Sequence, residues 1–520
     1  MYNKNKVNML SQKFIDDMNK IIAEGNSDLS FGDDFDWFDE EVDTTSFVQV
    51  PLFNYEQEVE QEQPNKKIRT SRQPRGYWDE EECTWKRWDP KKSSWWLNYV
   101  VQMPRSKKQI KKFRRRFGIS HNKWLRIMTW IREGNWFPNE EKPDAIGYPG
   151  SPLDLLVLGS LRYMRRGWTF DDLEEATCIS EEKHRKFFHE FVKVMAERLF
   201  PMFVRPPQTE EEINSARAEY NTAGMHGCIG SADATHVSIL QMQAGLKQYH
   251  MGAKLHTPAR AFNIVVNHRR RILSTTSGMP ARWNDKTIVL FDQFMSDLHR
   301  GKLYRDNEFK LYDAEGNEQT FKGLWLSVDN GYLRWPCTMP PFKDNADLFK
   351  QFRWSKWIES MRKDVECTFG ILKGRWRILK VGFSLYGNKH GLDTVDNTWK
   401  TCCALHNMLL EEDGLDAQWT GSWGEHDSVD ANRTVQLING RMANAGPTYD
   451  TSGLGCGHNS TWHYAEEEEG ETTEDVEKES EFIRNLGFDK FRNKLVTHFH
   501  YLWQNRRVSW PSRFGAVRMN

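Results

Sequence analysis

At 520 residues the chain is long enough for two or three domains. Its 72 Lys and Arg against 73 Asp and Glu leave a formal charge of −1, which excludes a uniformly basic nucleic-acid binder and makes the segregation of charge the informative quantity. Eight cysteines without a CxxC exclude a disulfide scaffold and suit reduced, structural thiols in an intracellular protein; there is no apolar run of about eighteen residues for a membrane span, and the opening MYNKNKVNMLSQ lacks the apolar stretch of a secretory signal.

Residues 1–75 are expected to be disordered. The stretch SDLSFGDDFDWFDEEVD is acidic with interspersed aromatics, a composition that can dock a partner. Lys66, Lys67, Arg69, Arg72 and Arg75 then form a basic tract, readable as a nuclear-import signal or as a solvated linker.

Residues 76–205 read as a helical, DNA-binding region. One helix gathers Arg105, Lys107, Lys108, Lys111, Lys112, Arg114, Arg115 and Arg116, with Ile110, Phe113 and Phe117 as its core-facing stripe. Such a cationic surface suits phosphate contact. Residues 151–200 have a helix-turn-helix-like order. Ser151-Pro152 opens one helix with Pro in the first turn. Thr169 with Asp172 caps a short second helix. Ser180 caps a third, with Lys183, Arg185 and Lys186 in its early turns as further candidate DNA contacts.

Residues 206–410 form the strand-rich block. GCIGSADATHVSIL reads as a buried strand bearing Asp233, and AFNIVV and RILSTTSG flank a hairpin turn at NHRR. Asn284 caps a single helix over DKTIVLFDQFMSDLHR, and RDNEFKLYDAEGNEQTFK reads as a polar insertion. GLWLSV is a strand ending at Asp329, and two long helices follow. Strand, hairpin, helix, strand, helix is the order of an RNase H-like α/β fold, whose sites form at strand ends. Residues 411–480 are expected to be an acidic low-complexity spacer. Residues 481–520 regain apolar periodicity, which predicts a C-terminal helix that docks on the core or grips DNA.

Three carboxylates carry the chemistry: Asp233, Asp329 and Glu366. Hard divalent cations need oxygen ligands converging from separate elements, and two-metal phosphodiester chemistry needs two such cations. A buried Asp mid-strand is costly unless paired or metal-bound. Asp329 sits in Asp-Asn-Gly, equally a turn sequence. Glu366 lies beside a helix stripe of Val365, Phe369, Leu372 and Trp376, with Gly370 leaving room; Arg362 and Lys373 continue its ridge as candidate phosphate contacts. An ordinary ion pair between Glu366 and Arg362 is the competing reading. Asp285 either supports the helix cap or joins the ligands. His236, at an odd offset from Asp233, belongs on the opposite strand face.

The segments Asp233-Ala234-Thr235-His236, Gly278-Met279-Pro280-Ala281-Arg282-Trp283-Asn284-Asp285, Val328-Asp329-Asn330-Gly331-Tyr332, Arg362 to Lys373 and Leu405-His406-Asn407-Met408 together resemble the PIF/Harbinger superfamily of transposases, with their DDE endonuclease domain. The resemblance covers roughly residues 150–410. It implies an RNase H-like core using two Mg²⁺ or Mn²⁺ ions, with Asp233, Asp329 and Glu366 as the DDE carboxylates and Asp285 counted with the metal ligands. Asp-Ala-Thr-His stands where Asp-Gly-Thr-His is usual, which leaves the carboxylate in place. The implied protein is nuclear and homo-oligomeric. It acts on double-stranded DNA at transposon terminal inverted repeats and targets, with a separate Myb-like DNA-binding partner. The alternative is a domesticated nuclear DNA-binding or adaptor protein that no longer transposes.

Overall fold

The computed structural model describes residues 76–143, 147, 149–242, 244–252, 257–343, 349–384, 391–412 and 482–509. The acidic and basic N-terminal segments and the spacer from 413 onward lie outside the described residues. The chain divides into two compact units, residues 1–93 and 94–520. The described part of the first is a hairpin, β1 (Gly76–Asp79) with β2 (Thr84–Arg87), followed by a 3₁₀ turn at Pro90–Lys92. This corrects the all-helical expectation for 76–205. Both strands carry aromatic or β-branched residues, which favour a pleated backbone over a helix.

The second unit opens with a π-helical turn (Trp96–Val101) and seven helices: α1 (Lys107–Phe117), α2 (His121–Glu133), α3 (Leu153–Arg166), α4 (Phe170–Thr177), α5 (Glu181–Arg198), α6 (Phe200–Phe203) and α7 (Glu210–Thr222). Their starts follow local chemistry. Ser106 and Gln109 make a reciprocal capping box on α1, Thr169 and Asp172 do so on α4, and Ser180 caps α5. Pro152 occupies the cap position of α3 and not its first turn, so that helix begins one residue later than read. Gly118 ends α1 at φ +80°, and a Cβ there would lie 2.8 Å from the Trp376 ring; glycine satisfies both the turn and the close approach. On α1 only Phe113 and Phe117 are buried. Ile110 is 43% exposed, so the expected three-residue stripe is narrower.

The sheet comprises β3 (Cys228–Gln241), β4 (Ala259–Val266), β5 (Ile272–Thr275), β6 (Met279–Pro280), β9 (Trp325–Ser327), β10 (Thr338–Met339) and β11 (Phe383–Ser384). A short helix α8 (Ala244–His250) follows β3, and a separate hairpin joins β7 (Glu308–Tyr312) to β8 (Glu318–Lys322). That hairpin is where a polar insertion is expected. Its alternating Phe309, Leu311 and Phe321 are buried, a period-2 signal diluted by charged neighbours. The central order is β10-β9-β3-β4-β5. Pairing is antiparallel from β3 through β5 and parallel from β3 through β9 to β10. The hairpin turn at 267–271 is where the sequence puts it.

The single helix expected after Asn284 is two, α9 (Asp285–Leu290) and α10 (Gln293–His299). Asp292 breaks the run by accepting the Met295 amide at 3.0 Å as a second cap. The long helix α11 (Phe349–Arg375) crosses β3 and β4, then α12 (Ile378–Val381), α13 (Gly391–Glu412), α14 (Ile483–Leu486) and α15 (Phe488–Gln504) complete the unit. Arg165 of α3 donates to the Gly374 and Arg375 carbonyls at 2.7 Å each, closing the end of α11. α15 docks on α11 and β7 through Phe491, Leu495, Val496, Phe499 and Leu502. One hydrophobic core runs from Trp95 through α1–α6, across Val237, Phe262 and Ile264 of the sheet, to Trp399–Leu409 of α13. The helical layer therefore shares its core with the sheet. Among the described residues no helix is long and apolar enough to cross a membrane.

Candidate active site

Strand register brings the first two carboxylates together. β3 and β9 run parallel with Ser231 opposite Ser327, so Asp233 and Asp329 each stand two residues further on in the same direction. Adjacent strands lie about 4.8 Å apart, which places the two carboxylates side by side just past the end of β9. Asp233 accepts from the Ala234 amide at 2.9 Å and Asp329 from the Gly331 amide at 2.7 Å. Burial pushes the Asp233 carboxyl up to about 6; the Asp329 charge adds to this, while Arg362 and the Ala234 N–H pull the other way.

Asp285 joins them. A Cβ on Gly331 would lie 2.7 Å from Asp285 Oδ2 and 2.9 Å from Asp329 Oδ1, so both carboxylates press on the bare Cα of that glycine. Asn284 supplies the helix cap, through the Thr287 amide, and Asp285 follows it in the first turn. Tyr332 closes the floor. It is buried, and its hydroxyl is driven well above its ordinary range by burial first and then by the charges of Asp233, Asp285, Asp329 and Asp292. It donates to Asn263 Oδ1 at 2.6 Å, and Asn263 Nδ2 donates to the buried Asp292 at 2.6 Å.

Glu366 arrives from α11. Arg362 Nη2 donates to Glu366 Oε1 and Nη1 to Asp233 Oδ2, both at 3.0 Å, so a single guanidinium spans helix and strand. Three turns further along the ridge, Lys373 donates to Thr235 Oγ1 at 2.9 Å, and burial lowers its amine. Thr235 is two residues from Asp233 and shares its face of the strand. An added side chain at Gly370 would meet nothing within 4 Å, as the sequence suggests. The stripe of α11 differs in detail: Asp364 and Thr368 are buried beside Val365 and Leu372, and Phe369 is only half-buried. The ion pair between Glu366 and Arg362, the competing reading of this residue, is present, and the same guanidinium also reaches Asp233.

The donor set consists of hard carboxylate oxygens held close enough for Asp329 to oppose ionisation of Asp233, and this suits a divalent cation. The four carboxylates are not closed around one point: among the described residues no three Asp, Glu, His or Cys are grouped tightly enough to hold an ion. The guanidinium of Arg362 lies between two of them. A cavity of 460 Å³, lined by Arg353, His500 and Trp503 among others, lies at the end of α15.

The remaining candidate DNA contacts lie on two helices. Lys107, Lys108, Lys111, Lys112 and Arg115 of α1 are exposed; Arg114 is half-buried, and Arg116 bonds the Tyr99 hydroxyl. On α5, Lys183 pairs with Glu140 at 2.5 Å, Arg185 with Glu181 and with Glu182 at 2.8 Å, and Lys186 with Glu182 at 3.4 Å. The chain order α3, short α4, turn and long α5 is present. Much of α5 is committed to packing, through Phe187, Phe188, Phe191, Val192 and Met195.

Sequence reasoning missed Tyr332, Asn263 and Thr235, which organise the site without carrying charge. It also missed the bidentate Arg260–Asp396 pair, 3.0 and 2.5 Å, whose carboxylate accepts the Gly278 amide at 3.1 Å. A Cβ on Gly278 would collide with both partners, so the Gly-Met-Pro segment has a packing reason legible only in three dimensions.

Residues 232–407, which contain all four carboxylates, match the family model described as DDE superfamily endonuclease. HARBI1 of Mus musculus, named as a candidate nuclease, is 23% identical over 267 residues, covering 50% of this chain and 68% of that protein. HARBI1 of Homo sapiens is likewise 23% identical over 265 residues, with the same coverage. No solved structure matches the chain.

Proposed function

From the premise that residues 232–407 are a DDE superfamily endonuclease domain, we propose that this protein is a metal-dependent nuclease that cleaves double-stranded DNA and transfers the cut strand at transposon ends. The observation that carries the reading is the in-register placement of Asp233 and Asp329 on parallel strands, with Glu366 one guanidinium away. The sheet order, antiparallel through β5 on one side and parallel through β10 on the other, supports an RNase H-like core.

Asp233, Asp329 and Glu366, with Asp285 beside Asp329, are the residues that would hold Mg²⁺ or Mn²⁺. When bound, two such ions supply activation of the attacking oxygen and stabilisation of the leaving one. The chain's own residues supply the rest. Asp233 and Asp329 are pre-positioned by strand pairing and by the Ala234 and Gly331 amides. The Tyr332–Asn263–Asp292 chain fixes the turn that carries Asp329. Arg362 and Lys373, on one ridge of α11, orient the phosphate backbone. The exposed lysines of α1 extend that contact along the duplex. Nuclear localisation, a homo-oligomer that holds two DNA ends and a Myb-like DNA-binding partner complete the proposal.

Nicking of a supercoiled plasmid in Mn²⁺ tests it. We expect wild type to nick and both Asp233→Asn and Glu366→Gln to lose more than about 100-fold in rate, a larger loss than removal of residues behind a metal ligand causes. Nicking that persists in both variants, or is absent from wild type, sinks the nuclease reading and leaves the DNA-binding adaptor as the better account.

A further inference from the structure

The guanidinium of Arg362 contacts the same two carboxylates, Asp233 and Glu366, that the nuclease reading assigns to metal. Each contact is a single hydrogen bond of 3.0 Å, and the two run to different residues. Elsewhere on this sheet Arg260 grips Asp396 with two bonds from one side, the stronger geometry. Arg362 is less firmly satisfied: its Nε is buried without a hydrogen-bond partner among the described residues. It is also partly open to solvent, at 17% exposure, and Glu366 is 52% exposed. The neighbouring cation, Lys373, bonds to the Thr235 hydroxyl and not to a carboxylate. Arg362 is therefore the cation that the structure puts on these oxygens, held in a way that can be exchanged.

We infer that Arg362 is an internal counter-cation that competes with the divalent ion for Asp233 and Glu366, and that a DNA phosphate draws it off, so that metal and DNA bind cooperatively. This rests on the metal-dependent nuclease reading above. A guanidinium and a divalent cation cannot share the same carboxylate oxygens without repulsion. A phosphate offers Arg362 a bidentate partner on the exposed side of the ridge. Linkage then requires that DNA raise metal affinity and metal raise DNA affinity by one common factor. The arrangement offsets part of the carboxylate charge in the absence of substrate and opens the site to metal once a phosphate backbone is present.

The test is calorimetric titration of Mn²⁺ into the full chain, wild type, Arg362→Gln and Arg362→Lys, with and without a short duplex. Wild type is expected to bind Mn²⁺ at least about 5-fold more tightly with the duplex, within the usual range of coupling between sites. Arg362→Gln is expected to show a comparable gain without DNA and little further gain with it. Arg362→Lys, whose compact ammonium cannot span both carboxylates, falls between. Equal or weaker Mn²⁺ binding by Arg362→Gln than by wild type, without DNA, overturns this inference alone. If that variant loses its cooperative melt, Arg362→Lys decides: no gain over wild type overturns the inference. Absence of Mn²⁺ binding in every protein, with and without duplex, overturns the metal reading and this inference with it.

Discussion

Asp364 and Glu366 stand two residues apart on α11 and meet opposite fates. Asp364 is 2% exposed and paired with His268 Nδ1 at 2.6 Å, whereas Glu366 is 52% exposed and shares Arg362 with Asp233. The same contrast separates Asp396, held by two bonds from Arg260, from Asp233, which shares Arg362 with Glu366. Carboxylates that are buried and saturated lock elements together, because releasing one leaves an uncompensated charge in the interior. Carboxylates that share one cation near solvent cost the fold something and remain available for chemistry. The cations of α1 are mostly exposed, whereas those at the start of α5 are paired with Glu140, Glu181 and Glu182. A count of charges along the chain does not distinguish these sets.

The sharpest way to break this comparison is to neutralise one carboxylate of each kind. Asp396→Asn is expected to lower unfolding stability by about 3–5 kcal/mol, the cost of stranding a buried guanidinium. Asp233→Asn is expected to change it by no more than about 1 kcal/mol, since it removes a charge that burial already disfavours. Denaturant melts of both variants decide the matter, and equal losses would erase the distinction.

A middle-sized effect should separate the two basic surfaces. Replacing Lys107, Lys108 and Lys112 together by Gln should flatten the dependence of log affinity for duplex DNA on log salt by about 0.9 for each phosphate that is no longer neutralised. Replacing Lys183 and Arg185 by Gln should leave that slope unchanged, because their charge is already met by Glu140, Glu181 and Glu182. A slope that moves with the α5 pair and not with α1 reverses the assignment.

The smallest effect concerns a buried base. His184 packs against Gly159, its Nε2 lies 2.7 Å from Thr177 Oγ1, and burial depresses it from 6.5 to about 4. The unfolded chain therefore takes up this proton first. Stability is lost as pH falls from about 6.5 through about 4 and is intact above that window. Melting temperature followed across that range should fall less steeply for His184→Gln than for wild type. Parallel curves would mean that other buried histidines, such as His406, carry the acid sensitivity.

The carboxylates, Asp233 within a strand, Asp329 just after one and Glu366 on a helix, the hairpin at 267–271 and the caps of α1, α4 and α5 were legible because each rests on local signals: alternation, capping side chains and turn residues. The C-terminal helix was legible from its apolar periodicity, and of the two readings given for it, core or DNA, the structure shows the docking on the core. The hairpin at 76–87, the break at Asp292 and the β7–β8 pair were not, because polar residues dominate their composition while one or two positions decide their conformation. No local pattern says that Ser231 and Ser327 share a register, that Arg362 reaches across to Asp233, or that Gly278 and Gly331 are glycine because side chains from distant elements press on them. Those are long-range facts. The sequence by itself determined which groups could do chemistry, since that depends on residue type and local backbone. Only the tertiary structure decided which charges are spent on the fold and which are left for a ligand, since that depends on burial and on partners more than a hundred residues away.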